Sequence, residues 1–146
     1  MRAYPRERFS SEVRLTPTMV AAYAHAAGDN NPVHHDRAFA ASTRYGRLIA
    51  SGTHTTALLL GLTASHFSQT GAMVGLEFWV RFRRPIYADE TIRLEWLVVK
   101  VTPNERLGVR LSSYEAASKV KMVRRLWGPR AEYWSLIGCR LRRSTT

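Results

Sequence analysis

The chain has 146 residues, 45% of them hydrophobic and 23% charged, with a formal charge of +11 at neutral pH. That length suits one domain with a sizeable core, and the hydrophobic share is ordinary for a globular protein. The most apolar run, 55–63, is too short to span a bilayer and is broken by threonine and glycine.

The charge is uneven. Residues 119–146 hold eight basic residues and one acid, so the body of the chain is only mildly basic. This argues against a nucleic-acid-binding fold and for a basic tail on something else. The single cysteine, Cys139, can neither close an intrachain disulfide nor hold zinc by itself. It fits a reducing compartment. With no apolar stretch behind the charged N-terminus, the expected location is cytoplasmic, with no membrane partner.

Residues 1–15 read as an irregular arm entering a short strand, with Phe9, Val13 and Leu15 as its apolar positions. Thr16-Pro17 opens a helix, because threonine can cap and proline tolerates the first helical position. Gly28 ends it. The next stretch, "AGDNNPVHHD" over 27–36, is a loop rich in acids, histidines and asparagines. Pro32 follows too closely for the helix to continue. A short helical turn is expected over 37–42, with Asp36 as its cap. A second long helix is expected over 52–67, so dense in Leu and Ala that it reads as buried on most sides. Strands follow over 73–82, 91–101 and 106–116, separated by short turns at Pro85-Ala88-Asp89 and "TPNE". Such spacing predicts an antiparallel meander. A sheet with a face to bury and one apolar helix together imply an α+β chain in which the sheet wraps the helix.

The sequence Gly28-Asp29-Asn30-Asn31-Pro32-Val33-His34 resembles the hydratase motif of the MaoC-like dehydratases, a family of hotdog fold that includes R-specific enoyl-CoA hydratases. A second landmark of that family is a glycine opening the central helix, usually after histidine. Here "IASGTHTTALL" supplies Gly52, with Ser51 at the histidine position. "RFRRPIYADETIRLEWLVVKV" is similar to a third, weaker pattern, with Ala88 in place of a glycine. The resemblance covers about 8–115 and implies a single hotdog domain over 1–146, with its core at about 8–118 and a basic tail of open structure over 119–146.

Hydration of an enoyl thioester needs a base for water, a proton for the α-carbon and a donor for the developing oxyanion. The resemblance assigns the first two tasks to Asp29 and His34, and the third to the Gly52 N–H at a helix N-terminus. Asn31, Ser51 and Thr53 become candidate substrate-binding or loop-supporting residues. The thioester carrier would be CoA or an acyl carrier protein, and no cofactor is implied. Each residue also has a plainer reading. Asp29 on its own reads as a turn residue, Gly52 as a helix entry, and one of the pair His34-His35 as exposed. His54 and His66 read as hydrogen-bonded flank residues and His25 as exposed. The five histidines show no metal-ligand spacing. Arg81, Arg83, Arg84, Arg44 and Arg47 read as solvated charges or as contacts for a phosphorylated carrier.

The tail departs from the family pattern, and "AEYWSLIGCRLRR" reads equally as a strand or an amphipathic helix. One hotdog unit leaves a sheet edge and half a substrate tunnel, so a homodimer or higher homo-oligomer is expected. The leading function is an enoyl-thioester hydratase or 3-hydroxyacyl-thioester dehydratase, a hydro-lyase of fatty-acid metabolism. The alternatives are a hotdog thioesterase and a non-catalytic acyl-thioester-binding protein.

Overall fold

The computed structural model describes residues 4–70, 74–99, 101, 112–116, 121–122 and 137–142. Helix α1 spans Pro17–Ala26, α2 spans Arg37–Ser42 and α3 spans Gly52–Phe67. Thr16 caps α1 by accepting from the Met19 N–H at 3.2 Å, and Asp36 caps α2 by accepting from the Phe39 N–H at 2.9 Å. Each cap satisfies a backbone donor that a helix start otherwise leaves open. No described helix is long and apolar enough to cross a membrane.

The strands are β1 (Arg8–Arg14), β2 (Val74–Val80), β3 (Thr91–Leu97), β4 (Ser112–Ala116), β5 (Lys121–Met122) and β6 (Ile137–Arg142). They form two three-stranded sheets of order β1-β3-β5 and β2-β6-β4, all pairs antiparallel. Among the described residues β2 and β3 lie in different sheets, so the hairpin expected between them does not form; residues 106–111 of the third expected strand lie outside the described residues. Local alternation marks strands but not their partners. Instead of a tight hairpin turn, the link from β2 to β3 spends its backbone elsewhere. Ala50 N–H donates to the Ile86 carbonyl at 2.7 Å, Ala88 N–H to Leu48 at 2.9 Å and Asp89 N–H to Leu15 at 2.6 Å. Asp89 adopts φ 70°, a left-handed conformation that aspartate tolerates better than most residues. In the tail, "IGCRLR" is a strand, β6, and it joins β2 to β4.

The core lies between β3 and α3. Ile92, Leu94 and Trp96 are buried along β3, alternating with half-buried neighbours as a one-sided sheet requires. The Trp96 indole N–H donates to the Leu59 carbonyl of α3 at 2.8 Å. Phe9 of β1 stacks on His66 with centroids 3.9 Å apart, and His66 Nε2 meets Glu7 Oε1 at 2.7 Å. These contacts clamp the C-terminal end of α3 to the strand arm. The helix is less enclosed than its composition suggests. It buries His54, Leu59, Thr63 and Phe67, while Thr53, Ala57, Gly61, Ala64 and Ser65 are exposed. The sheet covers one face, and the opposite face carries small side chains that leave it open.

Candidate active site

Asp29 is placed by the way α1 ends. Gly28 takes φ +68°, its N–H donates to the His25 carbonyl at 3.1 Å, and the Asp29 N–H donates to Ala24 at 2.8 Å. This is a Schellman closure, in which the residue after the left-handed glycine is bonded back into the last turn. The glycine read from sequence as a stop signal therefore also fixes the backbone of the first candidate residue.

The loop beyond is equally determined. Asn31 N–H donates to Asp29 Oδ1 at 3.2 Å, and Asn31 Oδ1 accepts from Val33 N–H at 3.3 Å. Residues Pro32–His34 form one turn of 3-10 helix, which brings His34 back toward Asp29. His34 Nε2 lies 3.4 Å from Asp29 Oδ2. His34 is 6% exposed, whereas the Asp29 side chain is 31% exposed, so the pair opens to solvent on the aspartate side.

The third segment is 48–50. Ile49 N–H donates to the Val33 carbonyl at 3.3 Å, and the Ile49 carbonyl accepts from His34 Nδ1–H at 2.8 Å. Because a carbonyl can only accept, neutral His34 carries its hydrogen on Nδ1 and turns the Nε2 lone pair to Asp29. The same segment bridges Tyr87 across Ile49. It is thus held between the motif loop and the link to β3, and it runs directly into Ser51 and α3.

Electrostatics favour a charged aspartate. The Asn31 N–H, and after it the Ser51 hydroxyl, hold the Asp29 carboxyl below the usual carboxylate range, with the His34 and His35 rings adding to this and desolvation opposing it. The site therefore presents a carboxylate, and with the neutral imidazole tautomer a lone pair, converging on one region. Two acceptors 3.4 Å apart need a shared proton, or a water beside them that donates to both.

Gly52 is the first residue of α3, and no described residue accepts its N–H. A Cβ there would come within 2.8 Å of the Phe82 ring. No local pattern points to this partner, which arrives from beyond β2 and is itself 59% exposed. Ser51 is buried and hydrogen-bonded to Thr53 Oγ1 at 2.8 Å. His34 and His35 do not divide into one buried and one exposed ring: His35 is half-buried and stacks with the exposed His25, centroids 5.0 Å apart. His54 is buried against Tyr23, centroids 4.4 Å apart. Of the basic residues, Arg84 pairs with Glu90 at 3.2 Å, and Arg47 approaches the same acid at 3.9 Å while lying 4.2 Å over the Tyr87 ring. Arg44 lies over Tyr45 at 4.9 Å.

Residues 5–120 match the family described as the MaoC like domain. The chain is 30% identical over 92 residues to a 3-hydroxybutyryl-CoA dehydratase of Methylorubrum extorquens; the match covers 63% of this chain and 58% of that relative's length. Among solved structures, the chain is similar to the R-hydratase PhaJ1 of Pseudomonas aeruginosa, with TM-score 0.74 and 21% identity, over 96% of this chain and 80% of that one. It is also similar to the (R)-hydratase of A. caviae involved in PHA biosynthesis, with TM-score 0.69 and 19% identity, over 97% and 96% of the two chains. These likenesses establish the hotdog fold.

Proposed function

Because this chain belongs to the MaoC-like dehydratase family, we propose that it adds water across the 2,3 double bond of an enoyl thioester, or removes it from the 3-hydroxyacyl product. The observation that carries this reading is the Asp29–His34 pair. Its facing atoms are both acceptors, 3.4 Å apart, with the tautomer of His34 set by Ile49. One water beside the pair, donating a hydrogen to each, would be held and polarised there. Asp29 takes the proton as the water oxygen attacks C3. The proton for C2 comes from the same pair, with His34 orienting the water and sharing the transfer.

Charge accumulates on the thioester oxygen as the bond forms. The Gly52 N–H is the donor suited to it: it opens a helix, so the macrodipole favours an anion there, and no described residue competes for it. The acyl carrier is CoA or a carrier protein. The reaction requires no metal or redox group, because general acid–base chemistry and an oxyanion donor suffice. A homodimer or larger homo-oligomer is part of the proposal, supported by the open face of α3 at Thr53, Ala57, Gly61 and Ala64.

The competing thioesterase reading would break the C–S bond. Incubation with a short trans-2-enoyl-CoA separates the two. The proposal predicts loss of the conjugated thioester absorbance with no free thiol released, and a 3-hydroxyacyl-CoA as product. Release of free CoA thiol at the same rate would overturn it.

A further inference from the structure

Phe82 is set beside α3 by the same closure that carries Ile49. Just beyond it in the chain, the Ile86 carbonyl accepts from the Ala50 N–H at 2.7 Å, and the Ala88 N–H donates to the Leu48 carbonyl at 2.9 Å. From that anchored link the ring reaches the first residue of α3. A Cβ built on Gly52 would lie 2.8, 2.9 and 3.1 Å from Cζ, Cε2 and Cε1 of Phe82, so the far edge of the ring closes on the glycine backbone. Only a residue without a side chain leaves room for it. The ring is nonetheless 59% exposed, and core packing does not account for a ring with most of its surface in water. What it touches is the start of the helix.

We propose that the Phe82 ring is a wall of the oxyanion site: it keeps water from the Gly52 N–H and packs against the thioester carbonyl bonded there. The Gly52 nitrogen is one bond from the Cα that the ring edge covers, so an oxygen accepting from that N–H lies beside the ring. A hydrogen bond to a developing oxyanion strengthens as water is excluded from it, whereas a neutral carbonyl gains less. The ring therefore favours the transition state over the bound substrate. Glycine at 52 then has two uses, a free N–H and room for the ring. The effect on turnover rests on the hydratase reading; the contact between ring and thioester carbonyl does not.

The test compares wild type with F82A, F82M and F82Y on the full chain. With trans-2-butenoyl-CoA, F82A should lose roughly tenfold in kcat/KM, a part of the loss that removal of an oxyanion donor brings, and most of it in kcat. F82M, apolar and of similar reach, should stay near wild type. In F82Y the added hydroxyl is borne by the ring atom nearest Gly52 and forces the ring away, so its loss should match that of F82A. The second readout needs no turnover: the infrared carbonyl band of bound butanoyl-CoA labelled with 13C at the thioester carbon. That band should lie at lower frequency in wild type than in F82A. Turnover unchanged or raised in folded F82A overturns the proposal. Should F82A not fold, wild-type turnover in F82Y overturns it equally. A loss that follows dissociation of an oligomer in sedimentation also overturns it, and would place the ring between copies of the chain. A wild type that binds butanoyl-CoA with a lowered band, lost in F82A, yet hydrates no enoyl thioester would refute the hydratase reading and leave the wall standing.

Discussion

His34 Nδ1 donates to the Ile49 carbonyl at 2.8 Å across fifteen residues of chain, and this bond decides which nitrogen faces Asp29. Without it neither the ring's orientation nor its tautomer would be set, and the convergence of two acceptors on one water would not be fixed. Asp29 is fixed by the end of α1 and His34 by the segment before α3. The site is therefore assembled from backbone closures on separate stretches of chain.

Gly28→Ala tests the first closure. A Cβ at Gly28 would meet nothing within 4 Å, so the penalty comes only from φ +68°. A loss of about 1–2 kcal/mol of stability is expected, the cost of a left-handed non-glycine residue. Turnover should fall as well, because the Asp29 N–H bond to Ala24 depends on that turn. G28N, which tolerates the conformation better, should lose less of both. Urea unfolding beside kcat checks this.

Gly52→Ala tests the oxyanion donor. The new methyl would stand 2.8 Å from the Phe82 ring, which is exposed and free at its far end to swing aside. The variant should fold with stability within about 1 kcal/mol of wild type. The N–H remains, so any loss comes from the methyl keeping the thioester oxygen out of its reach; kcat should then fall on the order of a hundredfold, as for a lost oxyanion contact. G52A/F82A removes the ring contact and should not regain turnover. Recovery in the double variant would assign the loss to Phe82 instead.

His54 makes stability depend on pH. It is buried and stacked on Tyr23, its Nδ1 has no hydrogen-bond partner among the described residues, and burial pushes its pKa down. The unfolded chain therefore binds a proton at His54 in a range where the folded chain does not. Stability from this group is full above an unfolded pKa of about 6.5 and declines as pH falls toward the lower folded value. The melting temperature of wild type should drop on acidification from pH 7 to 5 more than that of H54F, which keeps an aromatic ring against Tyr23. Parallel declines in both proteins would contradict this.

Much of this was legible in the sequence wherever the signal is local. Thr16, Gly28 and Asp36 mark helix ends by their own chemistry, and α3 begins and ends at the residues its pattern indicated. Asp29 and His34 were paired by the resemblance of 28–34 to a family motif, and the structure brings them within 3.4 Å. Sheet order was not legible: alternation in β2 and β3 is the same whichever strand lies alongside. The backbone that might have joined them as a hairpin is taken up by 48–50. Nor could sequence show that Ile49 orients His34 or that Phe82 lies over Gly52. Each of these joins residues from different segments. The burial expected of α3 failed for a related reason, since a run of small and apolar residues does not say which face the sheet will cover.

The central claim is that Asp29 and His34 act together on one water, and the most direct measurement is hydration of a short trans-2-enoyl-CoA by wild type, D29N and H34N. Asparagine at 34 can keep a donor toward Ile49 while removing the Nε2 lone pair, and D29N removes the carboxylate charge with little change of shape. The account predicts turnover by wild type and a loss of about 10²–10⁴-fold in kcat in each folded variant, the range for a missing acid–base group. Wild-type turnover retained in either folded variant would contradict it.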